Sequence, residues 1–256
     1  MKTIKLITSP KFITVIVLYT KLMCPQILEP EEIFEKANES VVAIIAYDVE
    51  DIKMSQGSGV IIDTGFVVTN FHVYQGSDKM RVFHLGKEYE VIRIIGVDIE
   101  RDIIVCQTDN TLLPLEIDAS NEFRIGERIY AIGSPLGYEN SITEGLISGV
   151  RKIDGKNLIQ ISTPISFGSS GGAVISSRGK LIGISTSGYL YSDINFAVPI
   201  EAIQNLSTNC AVNDTICSAK IYYFLKFYQA YIQQNFREAF LQLNNYIDVD
   251  SGASIQ

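Results

Sequence analysis

Short apolar runs alternate with turn residues through the middle of the chain, between Val41 and Ile200. The runs are rich in Val and Ile, recur at intervals of roughly ten residues, and are separated by Gly, Asp, Asn or Ser. Many short strands without long helices between them predict a closed all-β architecture. About 160 residues of this pattern are enough for two small barrels packed together. The predicted strands are VVAIIAY, GSGVIID, GFVVTN, MRVFHL, EYEVIRIIGV, DIIVCQ, RIYAIGS, LIQIST, GAVISS, KLIGIST and INFAVPI.

Helical patterns flank the strand region on both sides. The segment PEEIFEKANESVV opens with Pro30 followed by acidic residues, which predicts a short helix. From Ala219 to Ile247, apolar residues recur at three- and four-residue spacing, with a break near Gln234, which predicts a helical hairpin. Its AYIQQNFREAF segment resembles the turn of a tetratricopeptide repeat, although a single hairpin cannot form a stable array. A tail packed against the barrels and a partner-binding repeat are the two alternatives.

The N-terminal segment, residues 1–24, differs from everything that follows it. It carries lysines but no acidic residue, and it contains the apolar run from Phe12 to Tyr19. A basic segment followed by a short apolar run is typical of an export signal. The run is shorter than the ~20 residues that span a bilayer. Residues 1–30 lack the Ala and Gly typical of a cleavage site. The two interpretations are therefore an export signal and an uncleaved membrane anchor.

Composition excludes several function classes. The formal net charge of −8 argues against nucleic-acid binding, which needs a basic face. The chain has two histidines, His72 and His84, and no CxxC pair, so we expect neither a metal nor a cofactor. Cys210 and Cys217 are close enough for a small disulfide loop, which export would permit. Cys106 lies in an apolar run and is interpreted as a buried thiol.

The glycine-rich segment FGSSGG, residues 167–172, contains the candidate nucleophile. The G-x-S-x-G pattern around Ser170 is also found in α/β-hydrolases, but there the histidine follows the serine, and here both histidines precede it. The order Asp, His, Ser would need helices between parallel strands, which the pattern lacks. The order His, Asp, Ser remains. It is filled by His72 at a strand end, Asp102 at the start of an apolar strand, and Ser170.

These residue types suit nucleophilic catalysis. A hydroxyl becomes a good nucleophile only when a base takes its proton, and imidazole can do so near neutral pH. A buried carboxylate fixes the imidazole tautomer and stabilises the imidazolium. Gly168 lets the turn direct the backbone N–H groups of residues 168 and 170 at one point, where an oxyanion can be held. His84 alternates within a strand and is interpreted as a strand residue.

Taken in order, blocks of the chain resemble the HtrA/Deg family of trypsin-like serine proteases, in its bacterial exported form. The resemblance implies a trypsin-like double β-barrel over residues 31–206, with the site in the cleft between the barrels. It implies His72 as general base, Asp102 as orienting acid and Ser170 as nucleophile, with Gly168 and Ser170 as backbone oxyanion donors. The matching blocks are SVVAI, GSGVIIDTGFVVTNFHV, VDIERDIIV, RIGERIYAIGSPLG, TEGLISGVR, IQISTPISFGSSGGAV, GKLIGIST and NFAVPI.

The family resemblance implies a serine endopeptidase that acts on unfolded or extended exported polypeptides, in protein quality control. The corresponding location is the bacterial envelope, the periplasm or the exterior. The alternative is a non-catalytic chaperone-like or peptide-binding module on the same fold, and an esterase would use the same triad. The residues after Ile200 are too few for a PDZ-like module of about 90 residues. The helical tail, residues 207–256, takes its place. A homo-oligomer, and a protein partner bound through this tail, are further expectations.

The resemblance also predicts an uncharged substrate pocket. A trypsin-like pocket for Lys or Arg carries an acid six residues before the nucleophile, and here that position is Pro164. A cationic side chain buried without a partner would be costly, so we expect cleavage after small or medium aliphatic residues. By resemblance, the pocket is lined by Pro164, Ile165, Ser166, Ile184, Ser185 and Thr186.

Overall fold

The computed structural model describes residues 27–109, 111–134, 140–165, 168–186, 194–207 and 215–250. Within these residues, the strands lie largely where the apolar runs predict them. They are β1 (Val41–Tyr47), β2 (Lys53–Asp63), β3 (Phe66–Thr69), β4 (Lys79–His84), β5 (Lys87–Asp98), β6 (Ile103–Thr108), β7 (Arg128–Gly133), β8 (Ser141–Ile153), β9 (Lys156–Ile161), β10 (Ala173–Ser176), β11 (Leu181–Thr186) and β12 (Asn195–Pro199).

The strands form two closed antiparallel barrels, which confirms the predicted double-barrel fold. The N-terminal barrel has the order β1-β2-β3-β6-β5-β4, and the C-terminal barrel has the order β10-β11-β12-β9-β8-β7. One hydrophobic cluster joins them, with Val60 and Val105 from the first barrel and Tyr130 and Ile175 from the second. Closure leaves neither barrel with a free edge, and the shared cluster fixes one barrel against the other.

Strand β8 is the longest of the described strands, and the apolar pattern did not predict it. Most of its side chains are exposed or half-exposed, so alternation along the sequence is weak. Its backbone is nevertheless paired on both sides, with β7 over Ser141–Leu146 and with β9 over Ile147–Ile153. Ladder hydrogen bonds to two neighbours hold it as a strand, and those neighbours are not visible in its local sequence.

Helices flank the barrels on both sides, as predicted, and two further helices were not predicted. Helix α1 begins at Pro30, and the Glu29 backbone N–H donates to the Glu32 carboxylate at 2.9 Å, as in a capping box. Gln234 has a φ of +58° at the predicted break in the C-terminal hairpin. The one-turn helix α2, Phe71–Tyr74, and helix α3, Ile200–Ser207, were not predicted. The helices are α1 (Pro30–Asn38), α2 (Phe71–Tyr74), α3 (Ile200–Ser207), α4 (Thr215–Ile232) and α5 (Phe236–Asp250).

Several predictions concern the N-terminal segment and the cysteines. No helix among the described residues has the length and apolar character needed to cross a membrane. The export segment over residues 1–24 lies outside the described residues, as does Cys210, so the disulfide with Cys217 stays a prediction. Cys106 is buried in β6, as predicted, and burial raises the pKa of its thiol to about 12.

Candidate active site

Two neighbouring strands bring the candidate base and its carboxylate together. Strands β3 and β6 pair antiparallel, with Val68 opposite Val105 and Thr69 opposite Ile104. The end of β3 therefore lies beside the start of β6. His72 follows β3 in helix α2, and Asp102 directly precedes β6. Residues 30 positions apart in sequence meet because of this register.

The Asp102 carboxylate contacts His72 through both of its oxygens. Oδ2 lies 2.7 Å from His72 Nδ1, and Oδ1 accepts a hydrogen bond from the His72 backbone N–H at 2.8 Å. The ring is 39% exposed and the carboxylate 17% exposed. With Nδ1–H donated to the carboxylate, the neutral imidazole carries its free lone pair on Nε2. That nitrogen is then available as a base.

Asp102 is itself held from several directions. Its φ is +59°, a left-handed conformation that Asp tolerates better than most residues. Its carbonyl oxygen accepts from the Asn70 side chain at 2.9 Å and from the Phe71 N–H at 3.1 Å. Its Oδ2 also accepts from the Thr186 hydroxyl at 2.9 Å. These contacts fix the carboxylate that orients the imidazole.

The serine loop, residues 168–172, is held by hydrogen bonds from both barrels. The Ser58 hydroxyl of β2 donates to the Gly168 carbonyl, and the Ser58 N–H donates to the Ser170 carbonyl, each at 2.7 Å. The Ser185 hydroxyl of β11 donates to the Ser169 carbonyl at 2.8 Å. In a trans peptide the N–H points opposite to the C=O, so the Ser170 N–H points away from Ser185. Ser170 itself is 7% exposed.

Glycine is required where the loop meets the N-terminal barrel. Gly171 has a φ of +84°, and a Cβ there would lie 2.2 Å from the Ser58 carbonyl oxygen and 2.4 Å from Thr69 Oγ1. No side chain fits so close to backbone. Gly168 also has a positive φ, of +92°. Glycine is therefore favoured at both positions by the positive φ, and at Gly171 also by the lack of space for a side chain.

The serine loop packs directly against the segment that carries the histidine. A Cβ on Gly57 would lie 3.0 Å from the Ser170 carbonyl oxygen and 2.6 Å from Val73 Cγ2 of α2. A Cβ on Gly171 would lie 3.2 Å from the Asn70 nitrogen. The candidate nucleophile loop and the histidine helix are therefore neighbours, and the glycines between them allow this close approach.

The predicted pocket residues occupy different environments. The Pro164 carbonyl accepts from the Thr143 hydroxyl at 3.4 Å, and Ile165 is half-buried against the core of the C-terminal barrel. Ile184 is fully buried in the cluster between the barrels. Ser166 lies outside the described residues. Of the described pocket candidates, Pro164 is exposed and Ile165 half-buried, and the pocket as a whole stays a prediction.

Thr186 has a contact that the sequence did not suggest. It was predicted as a pocket wall because of its place in β11, but it is buried and its hydroxyl donates to Asp102. Ser185, its neighbour, likewise uses its hydroxyl within the protein, on the serine loop. Threonine occurs often in strands, so its identity alone carries no signal of this contact. Only the packing of one barrel on the other reveals it.

The second histidine lies away from this site. His84 is buried in β4, as predicted for a strand residue, beside a groove that is also lined by Phe34 and Asn140. Burial lowers the pKa of His84 below its ordinary value. In the part of the chain that the structure describes, no group of three or more His, Cys, Asp or Glu side chains could share a metal ion.

A double barrel with a carboxylate-bound histidine beside a glycine-framed serine is the arrangement of the trypsin-like peptidases. Comparison with known families gives the same assignment, since the family described as "Trypsin-like peptidase domain" matches residues 57–184, half of the chain. The chain belongs to this family.

Several curated relatives are named as proteases. The chain is 32% identical over 172 residues to Protease Do-like 1, chloroplastic, of Arabidopsis thaliana, a match that covers 61% of the chain and 39% of that protein. It is 35% identical over 170 residues to the periplasmic serine endoprotease DegP of Salmonella typhimurium, covering 60% of the chain and 35% of that protein. The chain thus spans well under half the length of these curated relatives.

A solved structure shares the fold. The serine endoprotease from Yersinia pestis is 29% identical, with a TM-score of 0.63, and the match covers 71% of this chain and 66% of that one. The resemblance to HtrA/Deg proteases that the sequence blocks indicate is confirmed by the names of the curated relatives, and this solved structure confirms the fold.

Proposed function

We propose that the protein is a serine endopeptidase in which Ser170 is the nucleophile, His72 the general base and Asp102 the orienting acid. The observation that carries this proposal is the two-point contact of Asp102, which holds both the ring and the backbone of His72 at 2.7 and 2.8 Å. This contact fixes the tautomer of an imidazole that is partly exposed, which is what a general base requires. The barrels also bring the glycine-framed serine loop against the segment that carries this histidine, next to Asn70 and Val73.

The chemistry follows from these positions. His72 Nε2 takes the hydroxyl proton as Ser170 Oγ attacks the scissile carbonyl carbon, and the imidazolium that forms is stabilised by Asp102. The negative charge that develops on the carbonyl oxygen is stabilised by the backbone N–H groups of Gly168 and Ser170. His72 then gives the proton to the leaving amine as the C–N bond breaks, which leaves an acyl ester on Ser170. In the second half-reaction His72 takes a proton from the water that attacks this ester, and returns it to Ser170 Oγ as the ester bond breaks.

Reaction with a fluorophosphonate probe tests the proposal. The wild-type protein is expected to be labelled at Ser170. The Ser170→Ala variant should remain folded, and its rate of peptide hydrolysis should fall by about 10⁴–10⁶-fold, as when a triad residue is removed from other serine proteases. Ser169→Ala is the matched control and should keep most of the activity. Labelling at Ser169, or no labelling of a folded sample, would contradict the assignment. The second outcome would favour the alternative, a non-catalytic chaperone-like module that binds peptides.

Substrate and location are proposed together. An unfolded or extended polypeptide fits a cleft between two barrels, because the scissile bond must reach a loop held by both. The relative from Salmonella is named a periplasmic endoprotease. Residues 1–24 carry the features of an export signal or anchor. We therefore propose an exported enzyme of protein quality control, with residues 31–206 as the protease domain.

We also propose that the tail, residues 207–256, binds a protein partner or a second copy of the chain. Helix α5 exposes large apolar side chains at a spacing that places them on one face: Phe236 (63%), Phe240 (65%), Leu243 (36%) and Ile247 (51%). Sedimentation velocity over a range of concentrations distinguishes the two. Self-association that is lost in Phe240→Glu would indicate a second copy, whereas a monomer at all concentrations would argue against it.

A further inference from the structure

The C-terminal hairpin packs directly on the segment that carries the candidate base. Leu225 of α4 is 5% exposed and belongs to the core cluster of the N-terminal barrel, together with Phe71 and Val73 of α2. One turn further along α4, the Tyr228 ring packs edge-to-face on the Phe71 ring, with centroids 5.5 Å apart and planes at 69°. Such aromatic contacts are stabilising and orientation-specific. The tail is thus in contact with the residue before His72.

Helix α2 depends on its neighbours for its position. It has a single turn, Phe71–Tyr74, and one turn cannot hold itself in place through its own hydrogen bonds. Phe71 is fixed on one side by its N–H, which donates to the Asp102 carbonyl at 3.1 Å. On the other side its ring, 4% exposed, meets Tyr228. Phe71 therefore lies between the orienting aspartate and the tail, directly before His72 in the chain.

A second contact ties α4 to the chain just after α2. Lys226 Nζ lies 2.7 Å from Asp78 Oδ1, and the two side chains are 27% and 22% exposed, so solvent screens this ion pair only in part. The Asp78 backbone N–H in turn donates to the Tyr47 carbonyl of β1 at 2.8 Å. Helix α4 therefore contacts the polypeptide at the start of α2 and again a few residues beyond its end.

We infer that Tyr228 and Lys226 are positioning residues for His72: the tail holds α2, and with it the histidine, against Asp102. The inference rests on the proposed function, since it concerns the same base. Its physical basis is that proton transfer depends steeply on geometry, so a displacement of about 1 Å can cost up to about 10²-fold in rate. A ligand or variant that displaces α4 is therefore expected to lower kcat.

The test compares Tyr228→Ala with Tyr228→Phe and with Tyr231→Ala in the full-length protein. Tyr231 is the matched control, because it lies in the same helix and its ring contacts are to Phe227 and Phe236 within the tail. We expect kcat of Tyr228→Ala to fall by about tenfold or more with KM nearly unchanged. Tyr228→Phe should have a kcat close to that of the wild type, because the ring contact with Phe71 is kept. Tyr231→Ala should match the wild type.

A second pair of variants keeps the inference falsifiable if Tyr228→Ala does not fold. Lys226→Met and Asp78→Asn each remove the ion pair but keep most of the side-chain bulk. We expect a fall in kcat of about threefold or more in each, with little further loss in the double variant, because both changes break one interaction. Circular dichroism and the thermal unfolding midpoint establish that each variant is folded.

The outcomes separate this inference from the proposed function. If the wild type reacts with the fluorophosphonate but folded Tyr228→Ala keeps the wild-type kcat, the positioning role is wrong and the protease assignment stands. The same conclusion holds if Tyr228→Ala is unfolded and both ion-pair variants keep the wild-type kcat. A loss seen equally in Tyr231→Ala would also overturn the positioning role, since it would reflect general loosening of the tail. If the folded wild type does not react at all, the proposed function itself fails.

Discussion

Thr186 donates its hydroxyl hydrogen bond to Asp102 Oδ2 at 2.9 Å, the same oxygen that lies 2.7 Å from His72 Nδ1. Thr186 ends β11 of the C-terminal barrel, whereas Asp102 and His72 belong to the N-terminal barrel. The contact therefore crosses between barrels. The orientation of the candidate base depends on how one barrel packs against the other.

Replacing Thr186 by Val removes this donor and keeps the branched shape. A hydrogen bond to a charged group contributes about 1.5–3 kcal/mol, so we expect kcat/KM on a peptide substrate to fall by about tenfold or more. Thr186→Ser keeps the hydroxyl and should retain most of the activity. Equal kcat/KM in the Val variant and the wild type would show that the hydroxyl has no part in orienting Asp102.

Alanine at Gly171 should disrupt the serine loop. The added Cβ would meet the Ser58 carbonyl oxygen at 2.2 Å, in addition to the strain of a positive φ. Gly126 has a nearly identical φ, +86°, but nothing lies within 4 Å of a Cβ there, so Gly126→Ala measures the strain alone, about 1–2 kcal/mol. We expect Gly171→Ala to lower the free energy of unfolding clearly more than this and to abolish fluorophosphonate labelling. Equal destabilisation in urea titrations would contradict the steric argument.

His84 should make stability fall on acidification. Burial lowers its pKa below the ordinary 6.5, against the opposing effects of a backbone hydrogen bond with Val41 and the charge of Glu39. The unfolded chain then binds the proton more readily than the folded one. The contribution of His84 to stability is therefore full above about pH 6.5 and is lost as the pH falls through 6.5 towards the folded pKa.

The variant His84→Gln cannot titrate and serves as the comparison. Between about pH 7.5 and about pH 5, the free energy of unfolding should fall more for the wild type than for the variant. His72 is present in both proteins, so its own titration cancels in the difference. Parallel pH profiles from urea denaturation would show that His84 titrates alike in the folded and unfolded chain.

Cleavage specificity tests the uncharged pocket. Pro164 and Ile165 are uncharged, so a buried Lys or Arg side chain of the substrate would have no partner from them. We expect cleavage after Val, Ala, Ile or Leu in an extended substrate such as casein, identified by mass spectrometry of the fragments. Predominant cleavage after Lys or Arg would show that the pocket has been assigned to the wrong residues.

Much of the architecture follows from local sequence. Apolar runs separated by turn residues predict eleven of the strands, because each run buries one or both faces of a short strand. Pro30 marks the start of α1, and Gln234 marks the break in the hairpin. The chain order of His72, Asp102 and Ser170 also suffices to choose among known serine chemistries, because each fold presents the three residues in its own order.

The tertiary structure decided what depends on contacts between distant segments. Strand β8 is polar and becomes a strand because β7 and β9 pair with it. Thr186 is indistinguishable from other strand threonines until the two barrels pack and bring it to Asp102. The hairpin could be predicted as helical from its periodicity, but its attachment to the histidine segment depends on Tyr228 meeting Phe71 across more than half the chain. Local patterns report which faces are buried, whereas the partner of each face is chosen by register and packing over the whole fold.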